Sequence, residues 1–160
     1  MAKPKEEKTN VMRTLEQKKI PYTAHSYDPD GPIDGVSVAQ TLGQPAERVF
    51  KTLVTKAASG AYYVFDIPVA ENLDLKKAAK AVGEKSIAML PQKELLGLTG
   101  YVHGGCSPIG MKKQFPTVLH ASAMEFDTIC FSAGRIGLQI EASPSALSSV
   151  VPLKTADVTD

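Results

Sequence analysis

Apolar positions along this chain alternate between a helical and an extended spacing. Val11, Met12 and Leu15 share one side of a 3.6-residue repeat, which predicts a helix over residues 10–19, with Pro21 just past its end. The period then drops to two, and residues 22–27 read as a strand with Tyr22, Ala24 and Ser26 on one side and Thr23, His25 and Tyr27 on the other. Asp28-Pro29-Asp30-Gly31-Pro32 is a loop by its turn chemistry, and a short helix over 36–42 stops at Gly43 and Pro45. Residues 49–55 and 61–67, rich in β-branched and aromatic side chains, form a hairpin around Ser59-Gly60.

The second half repeats the alternation. Residues 74–82 make a basic amphipathic helix with Leu73, Leu75, Ala78, Ala79 and Val82 inward, Lys76, Lys77 and Lys80 outward, and Gly83 as its stop. A strand over 85–89 and a helix over 92–96 follow. Further strands are predicted over 117–121, 128–132 and 137–141, the last two joined by a turn at Gly134-Arg135. Ser143 then caps a final helix with Pro144 at its first position. Residues 1–8 are expected to fray, and the tail beyond Pro152 to be loosely held. Hairpins mixed with helix-separated strands predict a single α/β domain over residues 1–160 with a mixed sheet.

Composition narrows the functional classes. A net charge of +1 gives no global attraction to nucleic acid, so any RNA contact must come from a local patch; Lys76, Lys77 and Lys80 with Lys112 and Lys113 are the candidates, and a solvated helix face and loop rim is the competing reading. Five tyrosines, five phenylalanines and no tryptophan provide no stacking platform for reading RNA sequence. The two cysteines, Cys106 and Cys130, are too few for a disulfide framework, which points to a reduced, cytosolic protein. No apolar run is long enough to span a membrane, and the charged N-terminus lacks the apolar core of a signal peptide.

Chemistry concentrates in Gly104-Gly105-Cys106-Ser107-Pro108-Ile109-Gly110, followed by Met111-Lys112-Lys113. Three glycines and a proline in seven residues exclude a helix interior or a central strand. They suit either a tight surface turn or a loop whose bare amides cradle an oxyanion or phosphate. Lys51 sits within a predicted strand on the same face as Val49 and Leu53. It is either an edge-strand or snorkelling lysine or a cation aimed into a pocket. Cys106 and His103 are a tempting nucleophile and base, but their spacing fixes no geometry. Cys130 reads as core, His25 and His120 as ordinary strand histidines, and no metal-ligand spacing is present.

Together these residues resemble the YbaK/prolyl-tRNA synthetase-associated editing domain. The likeness is carried by Val49-Phe50-Lys51-Thr52-Leu53, by Asn72 to Lys80, by the glycine loop, and by Ser132-Ala133-Gly134-Arg135-Ile136-Gly137-Leu138, and it runs from about residue 10 to 157. It is closest to the stand-alone deacylases of Cys-tRNA(Pro). The resemblance implies a compact α/β fold with a mixed, barrel-like sheet and no cofactor or metal. It implies that Lys51 contacts the 3′-terminal nucleotide or aminoacyl group, and that Gly104 and Pro108 belong to a G-x-x-x-P loop holding the aminoacyl carbonyl. Tyr27, Thr52, Ser132 and Gly134, with Gly105, Cys106 and Ser107 of the loop, are then expected around the substrate. Where the family pattern carries an aspartate after Gly-Leu, this chain has Gln139, which leaves amino-acid preference open between cysteine and another small residue such as alanine. The implied mechanism is positioning and backbone electrostatics with the substrate's own thiol as nucleophile. A non-catalytic module binding tRNA ends is the alternative. The implied partners are the 3′ end of aminoacyl-tRNA and, transiently, prolyl-tRNA synthetase, with the protein acting as a monomer in the cytoplasm.

Overall fold

The computed structural model describes residues 8–160. The expected fraying falls on residues 1–7, outside that range, while the Lys8 ammonium pairs with Glu16 at 2.7 Å. The first helix, α1 (Asn10–Gln17), opens on Thr9, whose hydroxyl accepts from the Met12 amide. It buries Val11, Met12 and Leu15, the three positions its periodicity predicted.

Two sheets follow from the strand pattern. β1 (Thr23–Ser26) runs antiparallel to β7 (Leu138–Ala142), which pairs on its other side with β6 (Ile129–Ser132). The larger sheet has β2 (Phe50–Ala57) and β3 (Tyr62–Pro68) as an antiparallel hairpin at its centre, with Gly60 in the turn at φ 93°. β4 (Ile87–Met89) lies beyond β2, and β5 (Thr117–His120) runs parallel to β3, so the sheet is mixed as expected. The strands do not close into a barrel. Among the described residues the sheets are joined by the bridge from Val49 to Cys130, and β1 and β4 remain as short edges.

The tail corrects the sequence reading. Residues Leu153–Ala156 form β8, parallel to β5, and Val158 is completely buried. Lys77 reaches over to Asp157 at 3.3 Å and to the Thr159 carbonyl at 2.8 Å, and the Val158 carbonyl accepts from the Asp74 amide. An edge strand shows solvent along much of its length, so its polar composition hid it.

Alternation in β2 and β3 assigns the two faces of the larger sheet. Leu53, Phe65 and Ile67 pack with Ala78 and Ala79 of α3 (Leu75–Val82). Val54 and Val64, on the other face, pack with Leu90, Cys106, Met111 and Phe115, and with Leu95 and Leu98 of α4 (Gln92–Thr99). The glycine loop and α3 therefore lie on opposite faces, so the α3 lysines and the Lys112-Lys113 pair do not merge into one basic patch. Leu75, expected inward, is 39% exposed, because it occupies the first helical position, a turn ahead of the Ala78–Ala79 contact. Below the smaller sheet, Phe131, Leu138 and Ile140 join α1 in a second core. α2 (Gly35–Leu42) contributes Ala39 to a small cluster with Val49, Val69 and Cys130 where the sheets meet. The last helix, α5 (Pro144–Leu147), has Pro144 at its first position as predicted. Ser143, however, bonds the Ser145 hydroxyl instead of capping the backbone.

Candidate active site

A cavity of about 240 Å³ opens at the N-terminal end of β2, near the junction of the sheets. It is smaller than the roughly 300–1,000 Å³ of drug-sized pockets, which suits a small side chain. From β2 come Lys51, Thr52 and Leu53; from the glycine loop and its approach, His103, Gly104 and Cys106; from the smaller sheet, Ser132 and Gln139; and from the end of β1, Tyr27. Ile33, Asp34, Gly35 and Val38 close one side. Of the expected site residues, Pro108, Gly105, Ser107 and Gly134 do not line this cavity. Gly134 borders a separate cleft with Tyr101 and Arg135, while Gly105, Ser107 and Pro108 lie buried behind the loop.

The loop is glycine-rich because another loop lies on it. A Cβ on Gly105 would come within 3.0–3.1 Å of the Arg135 and Ile136 backbone, and Gly104 adopts φ 89° beside Ile33 and Ile136. Gly105 donates its amide to the Val102 carbonyl at 3.0 Å. Among the described residues, the amides of Gly104 and Cys106 donate to no protein acceptor, and both residues line the cavity. Ser132 receives the Gly134 amide at 3.1 Å, which fixes the facing loop.

Lys51 is half-buried and has no hydrogen-bond or ion-pair partner among the described residues. Desolvation lowers its pKa from the ordinary lysine value. A cation held this way attracts an anionic group of a ligand. Gln139 is 7% exposed, and its Oε1 has no partner among the described residues. Asp34 lines the cavity as the N-cap of α2; its carboxylate accepts from the Ser37 amide at 3.1 Å, and hydrogen bonding by the Ser37 side chain first and its amide second lowers its pKa.

Cys106 does not pair with a base. It is buried, no hydrogen bond joins it to His103, and burial, followed by the Asp66 carboxyl, pushes its thiol up to about 12. A thiol of that pKa is protonated at neutral pH and a poor nucleophile.

Asp66 escaped the sequence reading, although an acid inside Tyr62-Tyr63-Val64-Phe65-Asp66-Ile67 is a signal in itself. It faces Thr52 across the hairpin and accepts its hydroxyl at 2.5 Å. Next to the cavity, His25, Cys130 and Glu141 offer ligand atoms within 4.8 Å of one another. Glu141, however, already holds Arg48 at 2.7 Å, His25 at 2.8 Å and Thr128 at 2.6 Å, and the guanidinium takes the place a cation would need. The group is an ion-pair network, with Cys130 completely buried as a core thiol.

The model of the aminoacyl-tRNA editing domain matches residues 34–149. The chain is 47% identical over 161 residues to a protein of Enterococcus faecalis named "Putative Cys-tRNA(Pro)/Cys-tRNA(Cys) deacylase EbsC", covering 99% of this chain and 98% of that one. A solved structure described as "a putative trans-editing enzyme for prolyl tRNA synthetase" superposes with a TM-score of 0.78 at 22% identity, covering 95% of this chain and 98% of that chain. Another, described as "hypothetical protein APE2540", has a TM-score of 0.85 at 21% identity, covering 94% and 99%. At these identities the two structures speak for the fold alone. The family model and the bacterial relative together show that this chain belongs to the aminoacyl-tRNA editing domain family.

Proposed function

We propose that the protein is a trans-acting deacylase that frees tRNA(Pro) mischarged with cysteine. The observation that carries this reading is a small cavity holding an unpaired cation and two undonated backbone amides, with no activated protein nucleophile beside them. The substrate is an ester between an amino acid and the terminal ribose. Lys51 attracts the anionic end of the tRNA, and the Gly104 and Cys106 amides stabilise the oxyanion as the carbonyl is attacked. The attacking group is the substrate's own thiol. Its sulfur bonds to the carbonyl carbon, the ester C–O bond breaks, and the thiol proton passes through solvent to the departing ribose oxygen. The protein's part is to hold thiol and carbonyl in register, a contribution worth up to roughly 7–11 kcal/mol in ideal cases.

Pro108, Gly105 and Ser107 support this arrangement from behind, by shaping the loop. Gly134 holds the facing loop, while Tyr27, Ser132 and Gln139 form the wall around the aminoacyl group. With the lysines split between two faces and no aromatic platform, tRNA identity is left to a transient partner, prolyl-tRNA synthetase. The protein itself acts as a cytoplasmic monomer. The neutral Gln139 and the small volume also suit alanine, and comparing the two aminoacyl-tRNAs separates these preferences.

The reading is tested with Cys-tRNA(Pro) and Cys106→Ser. Turnover by the variant within about threefold of wild type is the expected result, since burial and a raised pKa silence that thiol. Loss of turnover in a folded variant contradicts the substrate-thiol mechanism. A wild-type protein that binds tRNA ends without releasing cysteine contradicts the enzymatic reading altogether.

A further inference from the structure

Asp66 is 1% exposed and sits between Phe65 and Ile67, both completely buried. Nothing in that strand's packing calls for an acid. Its Oδ1 takes the Thr52 hydroxyl at 2.5 Å, and its Oδ2 has no hydrogen-bond partner among the described residues. No described lysine, arginine or histidine forms an ion pair with it; Leu119 of β5 stands beside it in register, and the titratable group it influences is the neutral Cys106 thiol of the glycine loop. Leaving a carboxyl buried in this state is costly, so its one polar contact merits a functional account. Asp66 does not line the cavity, whereas Thr52 does.

A hydroxyl has one proton and two lone pairs, and an ionised carboxylate only accepts. The 2.5 Å separation is in the range of a hydroxyl donating to a charged oxygen. Thr52 thus spends its single proton on Asp66 and has only lone pairs left to offer the cavity. We propose that Asp66 is a positioning residue that makes Thr52 a pure acceptor, matched to the α-amino group of the aminoacyl ester. This inference rests on the deacylase reading and names the group by which that site recognises its substrate.

The arrangement also responds to pH. Burial, opposed by the Thr52 hydrogen bond, pushes Asp66 up to about 7. Above that pH Thr52 must donate to Asp66; below it the protonated acid can donate to Thr52, whose own proton is then free to turn into the cavity and meet the amino group donor to donor. The other titratable groups around the cavity are Lys51, Asp34, Tyr27, His103 and Cys106; the Cys106 thiol is held protonated by burial and by Asp66, and none of the five hydrogen-bonds or ion-pairs with Asp66.

The test compares release from Cys-tRNA(Pro) and from 3-mercaptopropionyl-tRNA(Pro), which keeps the thiol and lacks the α-amino group. Wild type at pH 8 is expected to prefer the cysteinyl ester by roughly tenfold in kcat/KM, the scale of one hydrogen bond to a charged group. Asp66→Asn offers Thr52 both a donor and an acceptor, and Thr52→Val removes the hydroxyl. Each should bring the preference within about threefold, and the double variant should lose no more than either single one. Thr52→Ser should keep the preference. In wild type the preference should shrink as pH falls through about 7, and in Asp66→Asn it should not depend on pH there.

Full preference in Asp66→Asn overturns the proposal, as does a preference lost only in Asp34→Asn, the carboxylate that meets the cavity directly. If Asp66→Asn does not fold, full preference in Thr52→Val, or a wild-type preference that does not change with pH, overturns it equally. A wild type that releases both esters at the same rate defeats this inference and leaves the deacylase reading standing. A wild type that releases neither defeats both.

Discussion

Lys51 and Asp66 are side chains whose burial opposes the charge they carry. Lys51 is half-buried without a partner, and desolvation lowers its pKa. If that cost is borne for the substrate, Lys51→Ala should reduce kcat/KM on Cys-tRNA(Pro) by about 100-fold or more while the melting temperature holds or rises. A fall in melting temperature with activity intact would mark Lys51 as structural. Asp66 makes a stability prediction of definite sign. Its pKa is raised to about 7 when folded, against 3.8 for the ordinary group. The folded state therefore binds the proton more tightly, and stability declines as pH rises from about 4 through about 7, then stays low. Asp66→Asn should remove that decline and stabilise the protein at pH 8 by an amount on the order of a few kcal/mol, read from denaturant unfolding at pH 5 and pH 8. A wild type equally stable at both pH values would show that Asp66 is not buried as a charge.

Among the elements, the glycine loop couples fold to site. Gly105 lies so close to the Arg135 and Ile136 backbone that a Cβ would stand 3.0–3.1 Å from it, so Gly105→Ala must move the loops on the two sides of the cavity apart by a few tenths of an ångström. The expected cost is about 1–3 kcal/mol of stability, with a larger relative loss in deacylation because the Gly104 and Cys106 amides shift with the loop. Unchanged activity in Gly105→Ala would mean that those amides do not act on the carbonyl. The loop's composition signalled its importance in the sequence, since no regular element tolerates it. What it packs against was not legible, because the partner loop is some thirty residues away and meets it only through the fold. The same holds for Asp66. Its position in a strand was evident, but the significance of an acid there depends on its neighbour across the hairpin register. The β2–β3 hairpin itself was readable from local pattern and turn chemistry. β8 was not, because an edge strand held by parallel pairing to β5 has no local turn to announce it.

At the scale of the whole molecule, two sheets joined at the Val49 to Cys130 bridge create a small cavity between them. The lysines of α3 and of the segment after the glycine loop lie on opposite faces of the larger sheet, a separation that alternation in β2 and β3 imposes and that charge counting cannot reveal. The α3 lysines and the Lys112-Lys113 pair thus do not join into one basic surface, and the cavity between the sheets is the place we propose for the aminoacyl group. We propose that the cavity positions a substrate that supplies its own nucleophile. The most direct measurement is the rate of deacylation of Cys-tRNA(Pro) beside Ala-tRNA(Pro) under single-turnover conditions. The account predicts rapid loss of cysteine and little loss of alanine, which fits the same space and has no thiol. Alanine released as fast as cysteine would contradict it and require a nucleophile from water or from the protein.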